Sequence, residues 1–231
     1  MTETTAPRQE NPWLSLIVNI AIPAVILMKF STEETLGPVG GLLAALAFPL
    51  TWGIVDLVRD RRWNFISILG VISILLTGGI GLLELDPKWV AVKEAAVPGI
   101  IGLAVGLSLK SRYPVVRSLL YNERVSQVDK VETALAAHGS RAEFERSLVT
   151  ASWLLAASFF LSSILNFVLA KIVVKSPAGT TEFNEELGRM TALSYPVIVI
   201  PSMAMMMIAL WYLFKSIRRH TDLGVEDIFK G

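Results

Sequence analysis

Six stretches of this chain are long and apolar enough to approach or match the thickness of a bilayer, and they constrain the fold more than any other feature. They lie near residues 12–29, 37–58, 64–84, 90–109, 148–173 and 192–214. A helix needs about 20 mostly apolar residues to cross a hydrocarbon core of about 30 Å. Lipid offers no hydrogen bonds, so each segment must satisfy its own backbone, which predicts helices; strands would show short alternating runs. The expected fold class is all-α, a polytopic bundle of six transmembrane helices. Composition agrees: 53% of the 231 residues are hydrophobic and 18% are charged, against about 45–50% and about 25% in soluble domains.

Cationic loops stay on the cytoplasmic side. Six spans with the N-terminus inside put fifteen of the 21 Lys and Arg residues on inner segments, so both termini are predicted to be cytoplasmic. The layout is then a tail at 1–11, four spans within 12–109, a cytoplasmic amphipathic helical connection at 110–147, two spans within 148–214, and a basic tail at 215–231. In the connection, Val125, Val128, Val131 and Leu135 recur at helical spacing, which gives one apolar stripe to pack on the bundle. Asn11-Pro12 and Asp86-Pro87 read as helix starts, Gly139 as a helix end, and Ser140 with Glu143 as a capping box opening a helix at about 141. Trp13, Trp63, Trp153 and Trp211 fall near inner ends and Trp89 near an outer one, as headgroup-level aromatics should.

Little in the sequence resembles chemistry. There is no cysteine, which removes thiolate nucleophiles and Cys-based metal sites. His138 and His220 sit at helix ends, where the dipole favours them, with no second ligand at metal-binding spacing. No phosphate-cradling, zinc-protease or serine-hydrolase motif is present. A net charge of +1 gives no footprint for nucleic acid. The expectation is a non-enzymatic protein without cofactors whose main partner is the lipid bilayer.

Five polar residues inside or near the spans are candidates for transport or packing: Asn19, Asp56, Lys93, Glu94 and Asn166. Asp56 lies about 5 Å before Arg59 along a helix axis, so it reads as an interfacial anchor. Asn19 and Asn166 fall at different depths, which favours separate interhelical hydrogen bonds over one shared site. Lys93 and Glu94 fall near the outer interface, with Glu84, Glu33 and Glu34 as candidate partners for Lys93. Pro23, Pro49, Pro98, Pro196 and Pro201 interrupt spans. Pro98, Pro196 and Pro201 are candidate hinges, and the last two are close enough to make the sixth helix discontinuous. Gly40, Gly41, Ala44 and Ala45, and Gly102 with Gly106, form small-residue faces suited to close packing within the chain or in a homodimer.

The stretch LGPVGGLLAALAFPLTWGIVDLVRDRRWN, the apolar span after it, and DPKWVAVKEAAVPGIIGLAVGLSLKSRYPVVRSLLYN resemble the intracellular septation protein A group of bacterial inner-membrane proteins. They are also similar to a neighbouring group labelled transporter-like. The resemblance covers roughly residues 12–122. It implies an envelope-maintenance or division role exercised through protein partners, without a known reaction and without site residues to carry over. From about residue 123 the chain departs from the shorter septation pattern, which favours the neighbouring group. The alternative function is a small transporter or channel for an ion or solute.

Overall fold

The structure, a computed structural model, describes residues 17–59, 65–111, 114–120 and 127–228. Among these residues every regular element is helical. A π-helical turn at Ile17–Ala21 leads into α1 (Ile22–Lys29), followed by α2 (Gly37–Arg59), α3 (Phe65–Leu82) and α4 (Lys88–Ser108). Two short helices, α5 (Val115–Leu120) and α6 (Val128–His138), precede the 33-residue α7 (Arg141–Val173). The chain closes with α8 (Thr181–Ser194), a second π turn (Tyr195–Val199), α9 (Ile200–Thr221) and α10 (Val225–Ile228).

Among the described residues four helices are long and apolar enough to cross a membrane: Gly37–Val55 within α2, α4, α7, and the continuous stretch Thr181–Thr221. Leu69–Leu82 of α3 is a shorter apolar segment. The expected first span is represented by the π turn and α1, and its start, with Asn11, Pro12 and Trp13, lies outside the described residues, as do Asp60, Arg61, Arg62 and Trp63.

Two expectations about the last span need correction. It is not discontinuous: the backbone remains helical through Pro196 and Pro201, widening to a π turn between them. Each proline lacks an N–H and crowds the carbonyl one turn back, and a π turn absorbs that mismatch without breaking the helix. The first π turn stands in the same relation to Pro23, which occupies the first turn of α1 as Pro201 does in α9. The helix also starts earlier than hydropathy suggests. Thr180 caps α8 by accepting from the Phe183 amide at 3.2 Å, and Phe183, Asn184, Leu187, Gly188 and Met190 form its buried stripe.

The chain divides into two compact units, residues 1–93 with 167–195 and residues 94–166 with 196–231. In the first, α1 packs on α8 and α2, and α2 packs on α3. Small residues make these approaches close: a Cβ at Gly188 would lie 2.9 Å from the Ala24 carbonyl oxygen, and one at Gly41 would overlap Ser31. Thr181 donates to the Ser31 carbonyl at 3.0 Å and the Asn184 amide to the Pro38 carbonyl at 2.6 Å, so side chains of α8 cap backbone at the α1–α2 turn.

The second unit has a different interior. Val116, Val131, Leu135, Phe144, Leu148, Ala151 and Ile217 form one buried apolar cluster, with Leu155, Tyr212 and Leu213 packed against it. The stripe of α6 therefore faces inward at Val131 and Leu135. Gly139, at φ +61°, ends α6 in the left-handed conformation that glycine adopts without strain. Higher in the same unit, Gly102 of α4 sets its backbone against α7, where a Cβ would meet that of Phe159 at 3.1 Å. The small-residue faces at Gly41 and Gly102 are thus used inside the chain.

Candidate functional site

Lys93 has the most distinctive surroundings of the candidate residues. It sits five residues into α4, about 8 Å from the helix start, and Thr77 lies about the same distance inside the end of α3. The half-buried Lys93 ammonium donates to Thr77 Oγ1 at 2.7 Å and to Ser73 Oγ at 3.4 Å. Thr77 passes its own proton to the Ser73 carbonyl at 3.0 Å. Its hydroxyl is therefore oriented with a lone pair toward the ammonium. Ser73 and Thr77, one turn apart on an apolar helix, are the legible signal for this contact, which the expectation, naming Glu84, Glu33 and Glu34, did not include. Glu84 lies against Gly179, where a Cβ would come within 2.9 Å of Glu84 Cγ. A charged group within a span is expensive unless it is paired or solvated by polar atoms, and two hydroxyls supply that solvation here. Glu94, the next residue, is half-buried on the same helix.

The other candidates do not converge on this place. Asn166 donates to the Ser162 carbonyl at 2.8 Å within α7 itself. This corrects the expected interhelical bond: the amide is within one turn of a carbonyl that already has the right geometry. Asn19 lies in the first π turn and Asp56 in the last turn of α2, and both side chains lie outside what the structure describes. Pro98 sits within α4, which continues through it. In the turn that Pro98 loosens, Ser163 of α7 donates to the Ala95 carbonyl at 2.7 Å. Hydroxyls of neighbouring helices commonly replace the bonds a proline disrupts.

Spacing along the chain did not reveal a set of polar contacts near the end of α9. His138 Nε2 lies 3.0 Å from Asp222 Oδ2, and its Nδ1 lies 2.8 Å from the Ala134 carbonyl. Those two contacts, the backbone carbonyl first, hold the His138 pKa above its ordinary value. His220 Nδ1 lies 2.7 Å from the Ser216 carbonyl and its Nε2 3.6 Å from Glu143. Ser140 donates to the His220 carbonyl at 2.8 Å. Ser140 and Glu143, the residues of the expected capping box, thus reach across to α9. The partners are about 80 positions apart, so only folding brings them together.

At the other helix ends, carboxylates serve the backbone. Asp86 accepts from the Lys88 amide at 2.8 Å, opening α4 as its position before Pro87 suggests, and this bond holds its pKa below the usual carboxylate value. Glu186 accepts from the Lys175 and Ser176 amides at 2.7 and 2.8 Å and from the Ser176 hydroxyl at 2.9 Å, closing the loop between α7 and α8. Among the described residues no group of three or more His, Asp or Glu side chains is arranged to hold a metal ion. A cavity of about 430 Å³ lies along α2, lined by Ala47, Phe48, Thr51, Trp52 and Val55. Its lining is apolar apart from the Thr51 hydroxyl and the Trp52 indole N–H, and suits an acyl chain or an apolar side chain better than a polar solute. Comparison with protein families, curated proteins and solved structures gave no match.

Proposed function

We propose that the chain is a bacterial inner-membrane protein with six spans and both termini cytoplasmic, and that it acts as a non-enzymatic envelope-maintenance or division-associated component through protein partners. The carrying observation is the distribution of polarity. Large apolar residues such as Ile100, Ile164, Ile200 and Met207 are exposed along the helices, while the carboxylate and histidine contacts described above gather at helix ends and connections. An exposed apolar surface of this extent belongs against lipid or another helix. The test is depletion in cells, with envelope integrity and cell length as readouts, together with photo-crosslinking from the α2 cavity at Phe48. A defined crosslinked partner whose loss gives the same cell-length defect supports the reading; normal envelopes and division after full depletion contradict it.

A second reading, a small transporter or channel, is favoured by Lys93 alone. Lys93→Met removes the charge with little loss of volume. Thr77→Val leaves the ammonium short of an acceptor and should cost about 1–3 kcal/mol. If wild-type protein in liposomes carries an ion flux that folded Lys93→Met abolishes, the transport reading replaces the first.

A further inference from the structure

The inner ends of α7 and α9 carry two matching ladders of exposed residues. The two helices share one buried cluster and meet at its edge, with the Phe144 and His220 rings 6.2 Å apart between centroids. Counting from that contact toward the apolar parts of both helices, two residues reach Arg146 and Arg218, and nine reach Trp153 and Trp211. Equal counts mean equal lengths of helix measured from that contact, since both helices rise 1.5 Å per residue. Trp153 and Trp211 are 55% and 60% exposed, and Arg146 and Arg218 are exposed as well. Each arginine therefore stands about 10 Å beyond a tryptophan of the same helix. Exposed Met207 and Ile208 continue the apolar side.

The acids nearby are already engaged. Glu145 pairs with Arg117 at 3.2 Å, Asp222 with His138 at 3.0 Å and Glu143 with His220 at 3.6 Å. Among the described residues Arg146, Arg218 and Arg219 make no ion pair, and Lys215 lies over the Trp211 ring at 4.8 Å. Tryptophan settles at the headgroup boundary of a bilayer. Cations one to two turns further out sit at the level of the phosphates, where each attracts anionic lipid.

We infer that this belt is a binding surface for anionic phospholipid headgroups, with Arg146 and Arg218 of the two helices, joined by Lys215 and Arg219, holding the phosphates while Trp153 and Trp211 fix the depth. The inference rests on α7 and α9 being membrane spans. It adds to that reading the lipid class and the residues that select it.

The test compares thermal unfolding in phosphatidylcholine vesicles with unfolding in vesicles containing about one-third phosphatidylglycerol, after resistance to alkaline extraction has shown insertion in both. Insertion failing in both would refute the membrane reading itself. With insertion intact, phosphatidylglycerol should raise the wild-type Tm by about 2–4 °C. Arg146→Gln with Arg218→Gln should lose that rise while keeping the wild-type Tm in phosphatidylcholine, and Arg146→Lys with Arg218→Lys should retain it. A control of equal charge loss elsewhere, Lys29→Gln with Lys175→Gln, should also retain it. The proposal is overturned if wild type shows no rise, if the Gln pair keeps it, if the control loses it equally, or if free phosphate at millimolar concentration reproduces it in phosphatidylcholine.

Discussion

The first unit and the end of the second where α6, α7 and α9 meet are stabilised by different means. Where α1, α2 and α8 meet, glycines bring backbones together and single hydrogen bonds from Thr181 and Asn184 join the segments. Helices in lipid associate in the same way, because apolar side chains there gain little by leaving lipid for protein. Where α6 meets α7 and α9, Phe144, Leu135, Val131 and Ile217 are almost completely removed from solvent by α5, α6 and neighbouring segments. That is how a water-soluble domain is stabilised, by taking apolar area out of water. The first unit is thus joined by close backbone approaches and single hydrogen bonds, and the second by a buried apolar cluster.

The contrast is broken most readily at Phe144. Phe144→Ala should destabilise by about 3–5 kcal/mol, whereas Ile164→Ala on the exposed face of α7 should stay within about 0.5 kcal/mol. Thermal unfolding of the two variants in the same bilayer measures the difference, and equal effects would erase the distinction between the two interiors. Next in size is Gly188→Ala. Its new methyl meets the Ala24 backbone carbonyl, which cannot move aside as a flexible side chain would, so a loss of about 1–3 kcal/mol is expected. The same unfolding assay, or reduced abundance in the membrane, detects it. Asn184→Ala removes one buried bond between segments and should cost about 0.6–2 kcal/mol.

The smallest effect sharpens the contrast through pH. The carbonyl of Ala134 and the carboxylate of Asp222 raise the folded pKa of His138 above its ordinary value of 6.5. A raised pKa means that the folded state holds the proton more tightly, so the contribution to stability is full below the unfolded pKa and disappears as pH rises through the folded pKa. Stability of the inner cap should therefore decline slightly between about pH 6 and pH 8, and Asp222→Asn should reduce that slope. Hydrogen exchange of α6 amides across this range is the measurement; an unchanged slope in Asp222→Asn would remove His138 from the account.

What the sequence made legible depended on range. Local rules worked: Gly139 ends α6, Asp86 caps α4, and the stripe at Val131 and Leu135 faces a core. The π turns also have a local origin, because each precedes a proline in the first turn of the following helix, yet proline alone does not say whether a helix breaks, kinks or widens. The helix at Thr181–Ser194 was hidden by its own polarity, since Glu182, Glu185, Glu186 and Arg189 depress hydropathy while Phe183, Leu187 and Met190 supply the buried face. Asn166 satisfied itself within its own turn, which composition does not distinguish from a bond to a neighbour. Contacts between distant positions were not accessible: nothing near His138 points to Asp222.

The central claim is that α7 passes from one side of a membrane to the other. Because the chain has no cysteine, single cysteines report position without interference. Ala137→Cys, before α7, and Lys175→Cys, after it, replace exposed residues. In intact spheroplasts a membrane-impermeant maleimide should label Lys175→Cys at once and Ala137→Cys only after permeabilisation. Labelling of both cysteines from the same side would contradict the account.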